Sequence, residues 1–317
     1  NKGIEKGRKV RVDCTVCESN IHHPTDSSLL WDSVRVLCRL TQRAKNLLRV
    51  NVTDHCRRAK KRSLGILNAK NKEVRTKHYR DLLKVTKMTM ADAVSIRDLL
   101  TTTASPTDNP MLAIVISTEL DHYIPLAQQV IEQTERRVIK GEKLKACEKI
   151  VSIFEPHTDI IVKDRRETYY GHKLAITGGA SGLLTDLVIE EGNPADTTIA
   201  EKMIARQKDI YGRAPRQAAF DGGFASKKNL TDIKALGVKD VAFAKKRGLE
   251  VSDMTKSMWV YKRLRDFRAG IEGMISFLKR CFGLTRCTWR GFQSFKSYAW
   301  SSVVTANLLL MARRTLA

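Results

Sequence analysis

The sequence is short of acid, of long apolar runs and of paired cysteines, and each shortage removes a class of protein. Its most apolar stretch, SSVVTANLLLMA at 301–312, falls well below the roughly 20 residues that a membrane-spanning helix needs. The opening NKGIEKGRKVRVD has basic residues with no apolar run behind them, so it does not read as a signal peptide. No Met begins the chain, and the expectation is a fragment that lacks an N-terminal segment. The seven cysteines (14, 17, 38, 56, 147, 281 and 287) are odd in number and scattered, which excludes a disulfide scaffold and fits a reducing compartment. Only Cys14 and Cys17 form a Cys-x-x-Cys. On a strand, positions three apart face opposite sides, so these two would not converge on one metal, and reduced thiols are the expectation. No internal repeat or low-complexity tract is present.

Acid is scarce because base is abundant. Against 34 Asp plus Glu stand 57 Lys plus Arg, a formal charge of +23 dispersed along 317 residues. A dispersed excess of that size points to a polyanion, most simply a nucleic acid; a ribosome-associated protein and a solubility device are the alternatives. The 42% hydrophobic content provides for a substantial core and more than one lobe.

Three regions follow from the patterning. Residues 1–25 hold one strand, RKVRVDCTVC at 8–17, in which Val alternates with polar residues. Residues 26–150 form a helical block, poor in Gly and Pro, with Asp26, Ser27 and Ser28 as candidate caps. Within it, residues 31–100 carry 18 Lys and Arg against six acids, and the expectation from that charge is a surface that contacts DNA. Residues 151–317 change character: a hairpin across Gly178–Gly182, a helix ending at Gly212, then strand, helix, strand, a long helix over about 264–281, and an apolar, aromatic tail. The fold class is α/β, a mixed sheet flanked by helices, with the helical block inserted after the first strand.

Three acids stand out in this map. Asp13 lies on the first strand, Asp221 ends a later strand in RQAAFDGGFAS, and Glu272 lies on the long helix. Arg268 precedes Glu272 by four residues and Lys279 follows it by seven, so the three share one helical face. Ile271, Ile275 and Leu278 are expected on the opposite face, packed on the sheet. Read singly, Glu272 fits a surface salt bridge and Asp13 a cap or turn. Two strand-borne carboxylates and a helical one, in a basic chain, instead supply hard oxygen ligands for two divalent cations beside a phosphodiester.

With VDCT around Asp13, AFDGGFAS around Asp221 and RAGIEGMISFLKR around Glu272, the chain resembles bacterial insertion-sequence DDE transposases. Asp221, Gly223 and Phe224 match that family's Asp-x-Gly-Phe/Tyr pattern. Arg268, Glu272 and Lys279 match the last three residues of its YREK signature, and Arg265 stands where the signature has Tyr. The resemblance implies an RNase H-like catalytic fold, with Asp13, Asp221 and Glu272 holding two Mg²⁺ (or Mn²⁺) ions. It implies cleavage at transposon ends, transfer of the exposed 3′-OH to target DNA, a homodimer on double-stranded DNA and a nucleoid-associated place in the bacterial cytoplasm. Arg268, Lys279, Lys173 and Arg265 are the candidate DNA contacts. His172 is expected at a half-exposed strand position, and His22 and His23 in a loop after the first strand. A same-fold nuclease that cuts without joining and a DNA-binding transposase remnant are the competing readings.

Overall fold

The computed structural model describes residues 3–102, 109–163 and 167–316. It divides into two compact units, Ile21–Thr158 and the pair of segments Asn1–Asn20 and Asp159–Ala317.

The second of these is built on a six-stranded sheet of order β2-β3-β1-β5-β6, with β4 also paired to β3. The strands are β1 (Lys9–Glu18), β2 (Asp159–Lys163), β3 (Glu167–Gly179), β4 (Leu184–Glu190), β5 (Gln217–Phe220) and β6 (Asp240–Phe243). Alternation places β1. Val10 and Val12 are fully buried on one face, whereas Arg11 and Asp13 point to the other. Nine residues of β1 pair antiparallel with β3, and its first four pair parallel with β5. The sequences QAAF and DVAF of β5 and β6 are almost continuously apolar, as parallel strands covered on both faces must be.

Four helices and a single turn cover this sheet: α5 (Ala200–Tyr211), α6 (Lys227–Ala235), the short α7 (Val251–Met254), α8 (Met258–Cys281) and α9 (Phe292–Leu316). Met203, Ile204, Ile233 and the start of α8 pack with Val10, Val12 and Phe220. Leu174, Ile176 and Leu187 pack with Ile271, Leu278 and Phe295 in a separate core. This is the mixed, helix-flanked sheet expected of an RNase H-like fold.

Three details differ from the sequence reading. β2 was not anticipated, because DIIVK is short and exposed toward its end. α8 begins at Met258, not near 264, because the Ser257 hydroxyl accepts the Val260 N–H at 3.3 Å and starts the helix earlier. The aromatic tail is the helix α9, in which Phe295 is buried while Trp300, and Trp289 before it, are exposed. As expected, Ile275 packs against the core that holds Ile271 and Leu278, and it also lines the cleft beside Glu272. Cys14 and Cys17 do face opposite sides of β1: Cys14 packs with Val12 and Phe220, Cys17 with Leu278 and Cys287.

The other unit is helical: α1 (Asp26–Leu48), α2 (Cys56–Asn68), α3 (Lys72–Thr101) and α4 (Pro110–Thr134). Leu30, Leu37 and Leu40 of α1 are fully buried among Leu82, Ile116 and Leu120. The N-cap of α1 is Thr25, one residue before the expected candidates. Its hydroxyl accepts the Ser28 N–H at 3.1 Å, and the Ser28 hydroxyl accepts the Thr25 N–H at 3.0 Å. Asp26 instead turns inward to Arg137 at 3.0 Å and Gln133 at 3.2 Å. Regular helix stops well before 150: a π-helical turn at Glu135–Ile139 leads to Gly141 at φ +74° and then to mostly irregular chain. Among the described residues no helix is long and apolar enough to cross a membrane.

Candidate active site

Strand register brings the first two acids together. β1 and β5 run parallel with Val12 opposite Phe220, so the next residue on each chain, Asp13 and Asp221, emerges at the same end. Asp221 then leads into a short 3₁₀ turn, Gly222–Phe224, whose Phe224 N–H donates to the Asp221 carbonyl at 3.2 Å. Both glycines are needed for space and not for an unusual backbone. A Cβ on Gly222 would lie 2.8 Å from Cβ of Lys245, and one on Gly223 would lie 2.6 Å from Oδ2 of Asp196.

Helix α8 supplies the third acid and the group that ties the three together. The Arg268 guanidinium reaches Glu272 Oε1 through Nη2 at 2.8 Å. Its Nη1 lies 3.2 Å from Asp221 Oδ1 and 3.9 Å from Asp13 Oδ2. One cation therefore faces three carboxylates, which leaves negative charge in excess. Side-chain exposure rises from 18% at Asp13 through 44% at Asp221 to 62% at Glu272. Burial accordingly pushes the Asp13 carboxyl up to about 6, and the neighbouring Asp221 and Asp196 charges add to that; the Cys14 N–H and Arg268 oppose it. Two residues before Asp13 and on the same face of β1, Arg11 donates to the Phe267 carbonyl at 2.9 Å and anchors β1 to α8.

Residues 133–308 match the family described as the transposase DDE domain, which is more than half of the chain. The chain belongs to the DDE transposases. It is thus an insertion-sequence-type transposase, a nuclease-class enzyme of a family that acts on DNA and generally uses divalent metal. The matched stretch contains Asp221, Arg268, Glu272 and Lys279; Asp13 precedes it and joins them through the β1–β5 register. Comparison with curated proteins and with solved structures found no match.

In the transposase the acids open onto a cleft of about 1020 Å³ whose rim is basic: Lys163, Lys245, Arg247, Lys279 and Arg280 all line it. Lys279 is half-buried there, and burial together with the charge of Lys163 lowers its proton affinity. Lys173 also lines the cleft, yet its ammonium is committed to Asp196 at 2.5 Å and to the Pro194 carbonyl at 2.7 Å. Arg265 is exposed on α8 and does not line the cleft. His172 is not half-exposed, as the strand pattern suggested, but 2% exposed: its Nδ1 lies 2.9 Å from Asp159, and its ring packs on Phe295. His22 lies 3.4 Å from Asp32 within the helical unit.

Sequence reasoning missed Asp196, Lys245 and Arg247. Lys245 and Arg247 carried a signal, since they follow β6 and ligand sites gather at the carboxyl ends of parallel strands. Asp196 carried none, because an acid in the turn GNPADTT reads as an ordinary cap.

Proposed function

We propose that the chain cuts DNA at transposon ends and joins the resulting 3′-OH to target DNA, with Asp13, Asp221 and Glu272 as the ligands of a divalent metal pair. The observation that carries this reading is Arg268, whose one guanidinium contacts all three acids. An all-oxygen donor set with negative charge in excess suits Mg²⁺ or Mn²⁺. Bound there, such ions supply activation of the attacking oxygen and neutralisation of charge on the departing one.

The chain's own residues do the rest. Asp13, the most buried acid, takes the central place between Asp221 and Glu272. Arg268 neutralises the acids and steadies Glu272. Lys279 and the basic rim meet the phosphodiester backbone and fix its register without reading sequence. Arg265 contacts DNA further along α8, while Lys173 acts through Asp196. Residues 26–150, with their surplus of base, form a DNA-contacting insertion after the first strand, and two copies of the chain assemble on the DNA.

The test separates binding from chemistry. Asp221→Asn preserves size and removes one anionic ligand. With Mg²⁺ and a matched transposon end, DNA affinity should persist, because backbone contacts supply most of it, while cleavage and joining are lost. Lys279→Ala should weaken binding and flatten its salt dependence by about one phosphate contact. Cutting by the wild type without joining of a pre-cleaved end favours the nuclease reading. Equal inertness of wild type and Asp221→Asn, with equal DNA binding, favours the remnant.

A further inference from the structure

Among the described residues, the one cluster of His, Cys, Asp and Glu side chains close enough to share a metal ion belongs to the helical unit and includes none of the three acids. The donor atoms of Cys38, Asp54 and Cys56 all lie within 4.8 Å of one another. Cys38 sits on α1 and is buried; Cys56 is the first residue of α2 and is partly covered; Asp54 is exposed in the loop between them. None of the cysteines is in a disulfide. The loop is fixed from several directions. Arg49 turns the chain at φ +54°, and the Gln42 side chain donates to the Val52 carbonyl at 3.1 Å. Two backbone groups already support the donors: the Cys56 N–H donates to Asp54 Oδ1 at 2.8 Å, and the His55 N–H donates to the Cys38 sulfur.

We propose that Cys38, Asp54 and Cys56 bind a thiophilic divalent cation of the zinc type, which clamps the end of the α1–α2 loop to the middle of α1. Three protein donors and a solvent-facing side make a tetrahedral site whose fourth position is taken by water. Sulfurs on one tetrahedral Zn²⁺ lie about 3.8 Å apart at ordinary Zn–S lengths, so donors that lie within 4.8 Å of one another are already inside the range that a metal can draw together. Thiol ligands select zinc over Mg²⁺, and this separates the site chemically from the all-oxygen acids of the cleft. N–H groups pointing at the donors orient them, as outer-shell groups do in metal sites. Burial, Asp54 and the neighbouring thiol hold the proton tightly on Cys56, and burial does so on Cys38. Metal uptake therefore releases protons, and affinity rises with pH.

Co²⁺ is the probe, added to the full chain under reducing conditions. The expected result is a near-ultraviolet thiolate-to-Co²⁺ charge-transfer band that Zn²⁺ abolishes by displacement. The band should vanish in Cys56→Ser, with circular dichroism confirming that the variant is folded. Asp54→Asn, which keeps both thiols, should weaken Co²⁺ binding by about tenfold or more. Asp221→Asn and Cys147→Ser should retain the band. Absence of the band in the reduced wild type, or its persistence in folded Cys56→Ser, overturns the proposal. So does recovery of a Cys38–Cys56 disulfide that, once reduced, takes up no Co²⁺.

Discussion

Asp13 is held where burial opposes ionisation. The folded chain keeps its proton up to about pH 6, against an ordinary value of 3.8. Between those values the native state binds more protons than the unfolded one, so stability falls as pH rises through that window, and the loss is complete above it. At 1.36 kcal/mol per pH unit, the penalty reaches at most about 3 kcal/mol. Asp13→Asn removes the charge and should therefore stabilise the metal-free chain by up to about that amount near pH 7.5, and by little near pH 4. Urea unfolding of both proteins at the two pH values is the check; an equal difference at both would mean that the charge is not the cause. The same substitution should abolish cleavage, because a site that gathers cations needs the carboxylate ionised.

The turn after β5 joins strand geometry to the site. Gly222 lets Lys245 pass close to the backbone, and Gly223 does the same for Asp196, which pairs in turn with Lys173. Gly223→Ala places a methyl group against the Asp196 carboxylate and should push that ion pair out of position, at a cost of about 1–3 kcal/mol, the usual range for an overpacked contact. The expected outcome is a folded variant with a modestly lower melting temperature, near-normal DNA affinity and cleavage reduced at least tenfold. Measuring all three on one preparation separates a displaced site from general unfolding. Full activity in Gly223→Ala would mean that the Asp196–Lys173 pair has no part in shaping the cleft.

At the scale of the whole molecule, the charge of +23 is distributed over two units, each with its own core. A core such as that around Leu30, Leu37 and Leu40 is sufficient for independent folding, so residues 21–158 expressed alone should be helical and unfold cooperatively. Their surplus of base should give sequence-independent DNA binding that weakens steeply with salt, by about 0.9 in the logarithmic slope per phosphate contacted. Fluorescence anisotropy against salt, for the isolated unit and the full chain, gives each unit's share of the contacts. A flat salt response of the isolated unit would remove the helical block from the DNA-binding surface.

Much was legible before any coordinates. Local patterns are written residue by residue, so the alternation of Val10 and Val12, the apolar runs of β5 and β6 and the helical spacing of Arg268, Glu272 and Lys279 were all readable. The charge excess was equally plain, because it is a sum over side chains. Weak local signals hid β2 and the true start of α8, and the same polar shorthand that marks caps pointed to Asp26 where Thr25 does the work. Tertiary structure alone decided which distant groups meet. Asp13 and Asp221 become neighbours through the pairing of β1 with β5, Arg268 reaches three acids from one helix, and Lys173 turns to Asp196. The same holds for Cys38 and Cys56, which the loop between α1 and α2 brings to one place. Such encounters depend on strand order, register and helix crossing, which long-range packing selects and no short stretch of sequence encodes by itself.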